Sequence, residues 1–441
     1  MSNLFIAVGG TGQHIALACS RLMRLGAIPR DSMDAIIIDA DNGQDLSKVL
    51  IDFRYMKGSN VISPPLIVRN DARFREIFLN NSPSQAETDI FNCLFSEAEA
   101  DKDLSKGMYG RPSVAATVFA NTGNSNQLGE LLPGIQNADK IIIAGSFIGG
   151  TGAGITHQLV KFVKDSAPKK EVYGVFLQPW LSLTGGNDEV TNTTLLRNMC
   201  HGMEYFTQHT APQFTRSVLL GVPGEAEPWL ALAQPERPGS EVPHVLHLIA
   251  GYSCDSLPRL AADGQTGQIY AFGVDEKDSG LFYRSLEFSG KSILHWVHQS
   301  QYVQKLLKHL TSDKGLDNIN ANFGGFGFLR GRNFTTDLGD TIKAHSKKLN
   351  KAPKDYFSTM IDSFKDSINK IEQSTTWLSG LLGPIPANPN VVEANEWDHA
   401  TKMFEKFMSH FTAADNHVLG PENLAQEIET KLRGAFQGGG N

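Results

Sequence analysis

Two segments of this 441-residue chain have the same form: an apolar run, a glycine-rich loop and the start of an amphipathic helix. In the first, apolar residues 4–8 precede glycines within residues 9–12; in the second, residues 140–144 precede the sequence GGTGAG at residues 149–154. Short, almost uninterrupted apolar runs are typical of parallel strands buried on both faces. Because ligands bind beyond the carboxyl ends of strands in such sheets, both loops are predicted to lie at the binding edge.

Further strands are predicted at residues 35–38, 172–177 and 217–222, and helical patterns lie between several of these runs. Strands that alternate with helices are joined by right-handed crossovers, which places them in one doubly wound parallel sheet. The predicted fold class is therefore α/β, with a Rossmann-type parallel sheet of six strands within residues 1–235.

Composition excludes several classes of protein. The formal net charge is −7, and acidic and basic residues are interspersed, which argues against a nucleic-acid partner held by phosphate contacts. The four cysteines are scattered without metal-site spacing, so reduced thiols in a cytoplasmic protein are expected. No apolar run approaches the roughly 20 residues that a membrane span needs, and the N-terminus has no signal core.

The glycine loops have the chemistry of an anion site although neither contains a lysine. Glycine lets the backbone approach a phosphate closely, and the N–H groups at a helix start bind the anion with help from the helix dipole. A Walker A loop is excluded because its G-K-S/T ending is absent. A dinucleotide fingerprint is the alternative: Gly10 and Gly12 fit it and Asp39 could hold a ribose, but Ile15 stands where its third glycine belongs.

Five segments in the first 200 residues resemble the tubulin and FtsZ superfamily. GGTGAG is similar to the signature G-G-G-T-G-S/T-G of that family, with Ile148 at its first glycine position. The other segments match family loops in order and spacing: VGGTGQH at 8–14, DADN at 39–42, KGMYGRPS at 106–113, and LQPWLSL at 177–183 followed by EVTNTTL at 189–195. The resemblance implies a divergent prokaryotic member that binds GTP or GDP with Mg²⁺.

The resemblance also implies a role for each matched residue. Those expected to contact the α- and β-phosphates are Gly10, Thr11, Gly12 and Gln13. Those expected near the terminal phosphate and its magnesium are Asp39, Asp41 and Asn42. Those expected to cradle the phosphates are Gly149, Gly150, Thr151, Gly152 and Ala153. Valine at Gly150 or Gly152 is therefore expected to abolish binding without unfolding the protein.

The ribose and base contacts match the family less closely. Glu189 is expected to accept hydrogen bonds from the ribose hydroxyls, and Asn192 either joins it or caps the helix that follows. The family reads guanine with asparagines, but Pro223 and Gly224 follow the matching strand here. The predicted central helix at residues 243–254 offers His244 and His247 instead, which either contact the base or pack in the core.

Catalysis in the family uses an acidic residue that the next subunit of a filament inserts into the phosphate site. The usual N-x-D sequence is absent after the predicted central helix, and the candidates there are Asp263 and then Asp275, each with the alternative of being a solvated loop charge. The resemblance implies a nucleotide domain at residues 1–235, a central helix at 243–262, a smaller α/β second domain at 263–380 and a linker with a C-terminal helical extension at 381–441.

Two functions follow from this interpretation. The first is a GTP-binding protein that self-associates head to tail into nucleotide-dependent filaments, with GTPase activity completed by the neighbouring subunit. The second is a nucleotide-binding sensor or scaffold that does not polymerise and acts with a partner protein. A dehydrogenase of the dinucleotide type is a more distant alternative.

Overall fold

The computed structural model describes residues 3–29, 33–39, 73–79, 82–104, 107–108, 110–122, 126–129, 131–178, 181–183, 191–221, 230–232, 244–260, 266–272, 293–312, 334–382 and 418–438. The chain divides into two compact units. The first comprises Met1–Met23 and Ile28–Gly290, and the second comprises Arg24–Ala27 and Lys291–Asn441. Among the described residues, no helix combines the length and the apolar character needed to cross a bilayer.

An open sheet of six parallel strands forms the centre of the first unit. The described strands are β1 (Asn3–Val8), β2 (Met33–Ile38), β3 (Lys140–Ser146), β4 (Glu171–Leu177), β5 (Leu181–Leu183), β6 (Arg216–Leu220), β7 (Leu230–Leu232) and β8 (Gln268–Phe272). The strand order in the six-stranded sheet is β2-β1-β3-β4-β6-β8. Strands β5 and β7 pair separately and in parallel. The α/β class and the five individually predicted strands are confirmed.

The sixth strand of the sheet lies elsewhere in the sequence than predicted. Strand β8 follows the central helix and so falls outside residues 1–235. It pairs with β6 in parallel, with Ser217 opposite Ile269, and forms an edge of the sheet where the Ile269 side chain is exposed. Strand β8 is apolar from Ile269 to Phe272, but the resemblance assigned residues 263–380 to a second domain, so this run was not predicted to join the sheet.

Helices cover the sheet and supply the rest of the first core. The described α-helices of this unit are α1 (Gly9–Arg24), α2 (Phe74–Phe78), α3 (Gln85–Leu94), α4 (Glu97–Ala100), α5 (Pro112–Thr122), α6 (Asn126–Gly129), α7 (Leu131–Asn137), α8 (Gly150–Ser166), α9 (Asn192–Tyr205) and α10 (Val245–Ser256). Residues of the inner strands are buried on both faces, as Ile6, Ile142 and Val175 illustrate. This explains why these strands are almost continuously apolar.

The second unit is described by four helices: α11 (Ile293–Leu310), α12 (Phe334–Lys348), α13 (Pro353–Leu382) and α14 (Pro421–Gly438). The amphipathic sequence of residues 335–377 forms parts of two helices, α12 and α13. Asn350 has a left-handed φ of 53°, and Pro353 starts the next helix, so the chain turns between them. Tyr356, Met360, Phe364 and Leu424 form part of the buried core of this unit.

Candidate functional site

The two glycine loops lie side by side in the structure. Strands β1 and β3 are neighbours, with Ala7 opposite Ala144, so helices α1 and α8 begin next to each other at the carboxyl edge of the sheet. A Cβ atom added to Gly9 would lie 3.2 Å from the backbone nitrogen of Gly152. Gly9 also has a φ of 68°, which glycine adopts without strain. Two loops this close can contact one ligand.

A buried carboxylate joins the two helix starts. Asp39, directly after β2, accepts a hydrogen bond from Nε2 of Gln13 on α1 at 2.5 Å and another from Oγ1 of Thr151 on α8 at 3.3 Å. Strand β2 pairs with β1, with Ile38 opposite Val8, which brings Asp39 to the edge where α1 begins. Three segments that are distant in sequence therefore meet at one carboxyl group.

A second polar contact contains a residue that the sequence interpretation missed. The hydroxyl groups of Thr11 and Ser146 lie 3.1 Å apart, and either can donate the hydrogen bond. Ser146 is the last residue of β3 and is buried. Its only sequence signal is a polar residue at the end of an apolar strand, shortly before the glycine cluster. Its hydroxyl adds an oxygen close to both glycine loops.

Several loop glycines are required by the packing of the protein itself. An added Cβ would lie 2.2 Å from the carbonyl oxygen of Ser146 at Gly152, 2.7 Å from the backbone nitrogen of Arg111 at Gly150, and 2.7 Å from the carbonyl oxygen of Ala144 at Gly12. These atoms belong to backbone, which cannot rotate away as a side chain can. The expectation that valine at Gly150 or Gly152 leaves the fold intact is therefore wrong, because both side chains would collide with neighbouring backbone.

Two other glycines face open space at the helix starts. At Gly10 and Gly149, no atom of the described residues lies within 4 Å of an added Cβ. Gly10 is in the first turn of α1, and Gly149 is the N-cap of α8. Neither helix has an acidic residue in its first turn, so the positive ends of both dipoles act on this space. We call residues 9–13 and 149–153 the glycine cradle; its geometry suits the phosphates of a nucleotide.

The third loop of the family pattern packs against the cradle. Its described residues are 107, 108 and 110–113, and the Cβ of Met108 would lie 2.8 Å from a Cβ on Gly150. Nδ2 of Asn198 on α9 donates to the carbonyl oxygen of Gly110 at 2.6 Å. Arg111 pairs with Glu99 at 2.9 Å. The loop is thus held from two sides by residues outside the glycine cradle.

Only some of the other predicted site residues lie in the described part of the chain. Asp41, Asn42, Glu189, Asp263 and Asp275 lie outside the described residues, as do Pro223 and Gly224. Asn192 is exposed and is the first residue of α9. The cap of this helix is Thr191, whose hydroxyl accepts from the backbone nitrogen of Thr194 at 3.1 Å. The alternative that Asn192 caps the helix is therefore wrong.

The two central-helix histidines are buried against other parts of the protein. His244 is the N-cap of α10, and its Nδ1 accepts from the backbone nitrogen of Leu246 at 3.2 Å. The ring of His247 stacks on that of His14, with centroids 4.9 Å apart and planes 5° apart. Burial lowers the pKa of His244 to about 4, and burial together with the nearby His14, His244 and Arg21 lowers the pKa of His247. Both rings are thus favoured in the neutral form, which suits packing and stacking.

A fourth histidine links α8 to the end of α9. The ring of His157 stacks on Phe147, which lies between β3 and the glycine loop, with centroids 5.4 Å apart, and its Nδ1 lies 2.8 Å from Oγ1 of Thr210. Thr210 ends a π-helix, Phe206–Thr210, that follows α9 directly. The Nε2 atom of His157 is buried without a hydrogen-bond partner among the described residues. Burial lowers the pKa of this histidine to about 4.

We expect acid to destabilise the protein through His157. In the unfolded chain its pKa returns to about 6.5, so between pH 6.5 and pH 4 the unfolded state binds a proton that the folded state refuses. His157→Gln should therefore reduce the loss of unfolding free energy between pH 7 and pH 5 by about 1–2 kcal/mol. Urea denaturation at both pH values measures this. His209→Gln, which removes an exposed histidine, should retain the wild-type loss; equal losses in all three proteins would contradict the prediction.

Comparison of this chain with known proteins gives matches among solved structures. No protein-family model matches it, and no curated protein matches it. Similar solved structures include CetZ2 from Haloferax volcanii in a GTPγS-bound protofilament, at 14% identity over 58% of each chain with a TM-score of 0.34. CetZ from Methanosaeta thermophila has 13% identity over 50% of this chain and 46% of that one, TM-score 0.30. CetZ1 from Haloferax volcanii, a GDP-bound monomer, has 14% identity over 51% of this chain and 54% of that one, TM-score 0.29. The chain thus spans between 46% and 58% of the length of these proteins.

Proposed function

We propose that this chain is a tubulin-like protein that binds GTP or GDP in the glycine cradle and assembles head to tail into nucleotide-dependent filaments. The observation that carries the proposal is the meeting of two glycine-bearing helix starts around open space at Gly10 and Gly149. Convergent N–H groups and two helix dipoles attract a polyanion without a lysine. The motif resemblance then selects a mononucleotide over a dinucleotide.

The phosphates would lie against residues 9–13 and 149–153. Gly10 and Gly149 would allow close approach of the backbone, while Thr11 and Thr151 would add hydroxyl groups. Mg²⁺ is usually bound by one or two carboxylates together with phosphate oxygens, and Asp39 is a buried carboxylate at this position. Asp41 and Asn42 are proposed to complete the surroundings of the terminal phosphate and the metal.

The contacts to the ribose and the base of the nucleotide are proposed from the resemblance. Glu189 and Asn192 would hold the ribose, and His244 and His247 would lie near the base. Guanine is proposed from the family alone. The asparagines that read guanine in that family are absent from the matching positions of this chain. The ring of His247 is buried and stacked on that of His14. Binding of a base beside His247 would either leave this stack in place or separate the two rings.

Assembly is proposed from the resemblance, because in the tubulin and FtsZ superfamily the bound nucleotide lies at the contact between successive subunits. Head-to-tail stacking is a heterologous contact, which produces filaments when its rotation does not close. In this arrangement the neighbouring subunit supplies the acid that orients the attacking water. Asp263 is the first candidate for that acid and Asp275 the second.

We expect sedimentable filaments in GTP, fewer in GDP, and a GTPase rate per subunit that rises with protein concentration. The rate should rise because each site needs a neighbour to become complete. Asp263→Ala should retain GTP binding and lower the rate; if it leaves the rate unchanged, Asp275→Ala, the second candidate, should lower it instead. Sedimentation and phosphate release measured over a concentration series test both expectations.

A constant rate per subunit, together with a monomeric mass in saturating GTP, would contradict the filament proposal. That outcome would favour a nucleotide-binding sensor or scaffold acting with a partner protein. Binding of NAD without any binding of GTP or ATP would instead favour the dinucleotide alternative.

A further inference from the structure

We propose that the turn between α12 and α13 is a docking site for an anionic lipid surface. The turn belongs to the second unit, and the inference does not depend on nucleotide binding in the first. We call residues 347–354, with the sequence KKLNKAPK, the lysine tip. All eight residues are exposed, and none is acidic. Its four lysines are Lys347, Lys348, Lys351 and Lys354.

The lysines of the tip differ from other lysines of the same unit in their surroundings. Lys365, Lys370 and Lys431 each form an ion pair with a carboxylate one turn earlier on the same helix. In the described part of this unit, no carboxylate forms an ion pair with any of the four tip lysines. Their charges therefore add up instead of being neutralised locally, and a concentrated positive charge attracts an anionic partner.

Stabilisation of the helix ends explains only part of this charge. Lys347 and Lys348 lie in the last turn of α12, where a cation interacts favourably with the helix dipole. Lys351 lies between the two helices, and Lys354 lies in the first turn of α13, where the dipole disfavours a cation. Because its own helix is not stabilised by this last charge, the charge is better explained by an external anion.

The backbone gives the tip a defined shape. Asn350 has a φ of 53°, and its backbone nitrogen donates to the carbonyl oxygen of Lys347 at 3.2 Å. The backbone nitrogen of Lys351 donates to the carbonyl oxygen of Ser346 at 2.9 Å, which completes a Schellman turn at the end of α12. Leu349 directly precedes Asn350 and is 38% exposed. The turn therefore presents an apolar side chain among the positive charges.

Buried residues on both sides of the tip hold it in place. Ser346 and Tyr356 are 1% and 0% exposed. The hydroxyl group of Tyr356 donates to the carbonyl oxygen of Leu419 at 2.9 Å, and the backbone nitrogen of Leu419 donates to Nδ1 of His345 at 3.2 Å. The exposed lysines and Leu349 thus project from a fixed base.

The residue types of the tip favour lipid over other anionic partners. Arginine forms paired hydrogen bonds with phosphate groups, and aromatic rings stack on the bases of single-stranded nucleic acids, but the tip contains neither residue type. Interfaces between proteins are depleted in lysine. Lysines beside an exposed leucine suit a lipid surface, where flexible ammonium groups meet many headgroup phosphates and Leu349 enters the apolar boundary.

The test is co-sedimentation of the full chain, without nucleotide, with phosphatidylcholine vesicles that contain about one third phosphatidylglycerol. The wild type should bind these vesicles and should not bind vesicles of phosphatidylcholine alone. Raising the salt concentration from about 0.05 M to about 0.5 M should weaken binding about tenfold or more, because salt screens exposed charges.

Two variants test the parts of the tip separately. Lys348→Gln combined with Lys351→Gln should weaken binding about twentyfold, because each lysine near an anionic surface strengthens binding about fivefold. Leu349→Ser should weaken binding to the vesicles about fivefold, because it removes the apolar contact and keeps every charge. Both changes are at exposed positions, so melting curves should match that of the wild type.

Lys365→Gln combined with Lys370→Gln is the matched control. It removes the same charge from α13, but from lysines that already have acidic partners, and it should bind the vesicles as the wild type does. Equal losses in the two double variants would overturn the role of the tip, because binding would then depend only on the charge of the whole protein. Failure of the wild type to bind the anionic vesicles would overturn it as well.

Duplex DNA in place of the vesicles tests the main competing partner. Tighter binding of the wild type to DNA than to the vesicles, with no effect of Leu349→Ser on either, would replace the lipid surface with a nucleic acid and overturn the proposal. Because nucleotide is absent throughout, these outcomes are independent of the proposed function. A protein that binds GTP but not the vesicles would retain the proposed function and lose only the lipid site.

Discussion

Gly152→Ala is expected to lower the free energy of unfolding of the first unit by about 3 kcal/mol or more. The new methyl carbon would lie 2.2 Å from the carbonyl oxygen of Ser146, well inside van der Waals contact, and 3.3 Å from the carbonyl carbon and the nitrogen of that residue. Ser146 belongs to β3, an inner strand that pairs on both sides. Relief of the collision would require α8 to move away from the sheet, which would also disturb its buried contacts.

Urea denaturation followed by far-ultraviolet circular dichroism measures this loss. Gly149→Ala is the matched control, because its methyl group would meet no described atom within 4 Å and the change at the N-cap costs less than about 1 kcal/mol. Equal stability of Gly152→Ala and Gly149→Ala would show that α8 does not pack on β3 as closely as the structure has it.

Gly149→Val is expected to weaken GTP binding about a hundredfold or more while leaving the protein folded. Gly149 has φ of −82° and ψ of 171°, an extended conformation that valine adopts readily. Its side chain would occupy the open space at the start of α8, where the proposed phosphate would lie, and would keep the phosphate from the backbone N–H groups. The large effect is expected on binding alone, because the space contains no described atom with which the side chain collides.

Calorimetric titration with GTP in the presence of Mg²⁺, combined with a melting curve, tests this prediction. Gly380→Val is the control, because Gly380 also has no described atom within 4 Å of an added Cβ but lies in the second unit. Wild-type affinity in a folded Gly149→Val protein would place the phosphate site away from the start of α8.

Much of the fold could be read from local pattern. The run at residues 140–144 predicted β3 because a strand buried on both faces needs apolar side chains along its length. The glycines after it predicted a tight passage into a helix, and α8 begins at Gly150. A buried strand and the start of a helix depend on residues that are close in sequence, so residue type and spacing can predict them. Strand β8 was not predicted in the sheet, because it follows the central helix and the expected domain order put residues 263–380 in a second domain.

The site required contacts that no local pattern contains. The sequence indicated that Gln13, Asp39 and Thr151 belong to ligand-binding loops, but it could not show that one carboxylate accepts from both side chains. Nor could it indicate that the hydroxyl of Ser146 meets that of Thr11. Asp39 and Thr151 are 112 positions apart, and they meet only because β1 lies between β2 and β3.

Gly149 and Gly152 illustrate most clearly the difference between what the sequence predicts and what the tertiary structure decides. The sequence by itself determined that strand, glycine loop and helix follow one another twice, because backbone freedom and apolar periodicity are local properties. Only the tertiary structure decided that Gly152 is confined by the backbone of Ser146 while Gly149 faces open space. Identical residues three positions apart differ because the space around a Cβ atom depends on distant parts of the chain, and that space is created only when the helices pack on the sheet.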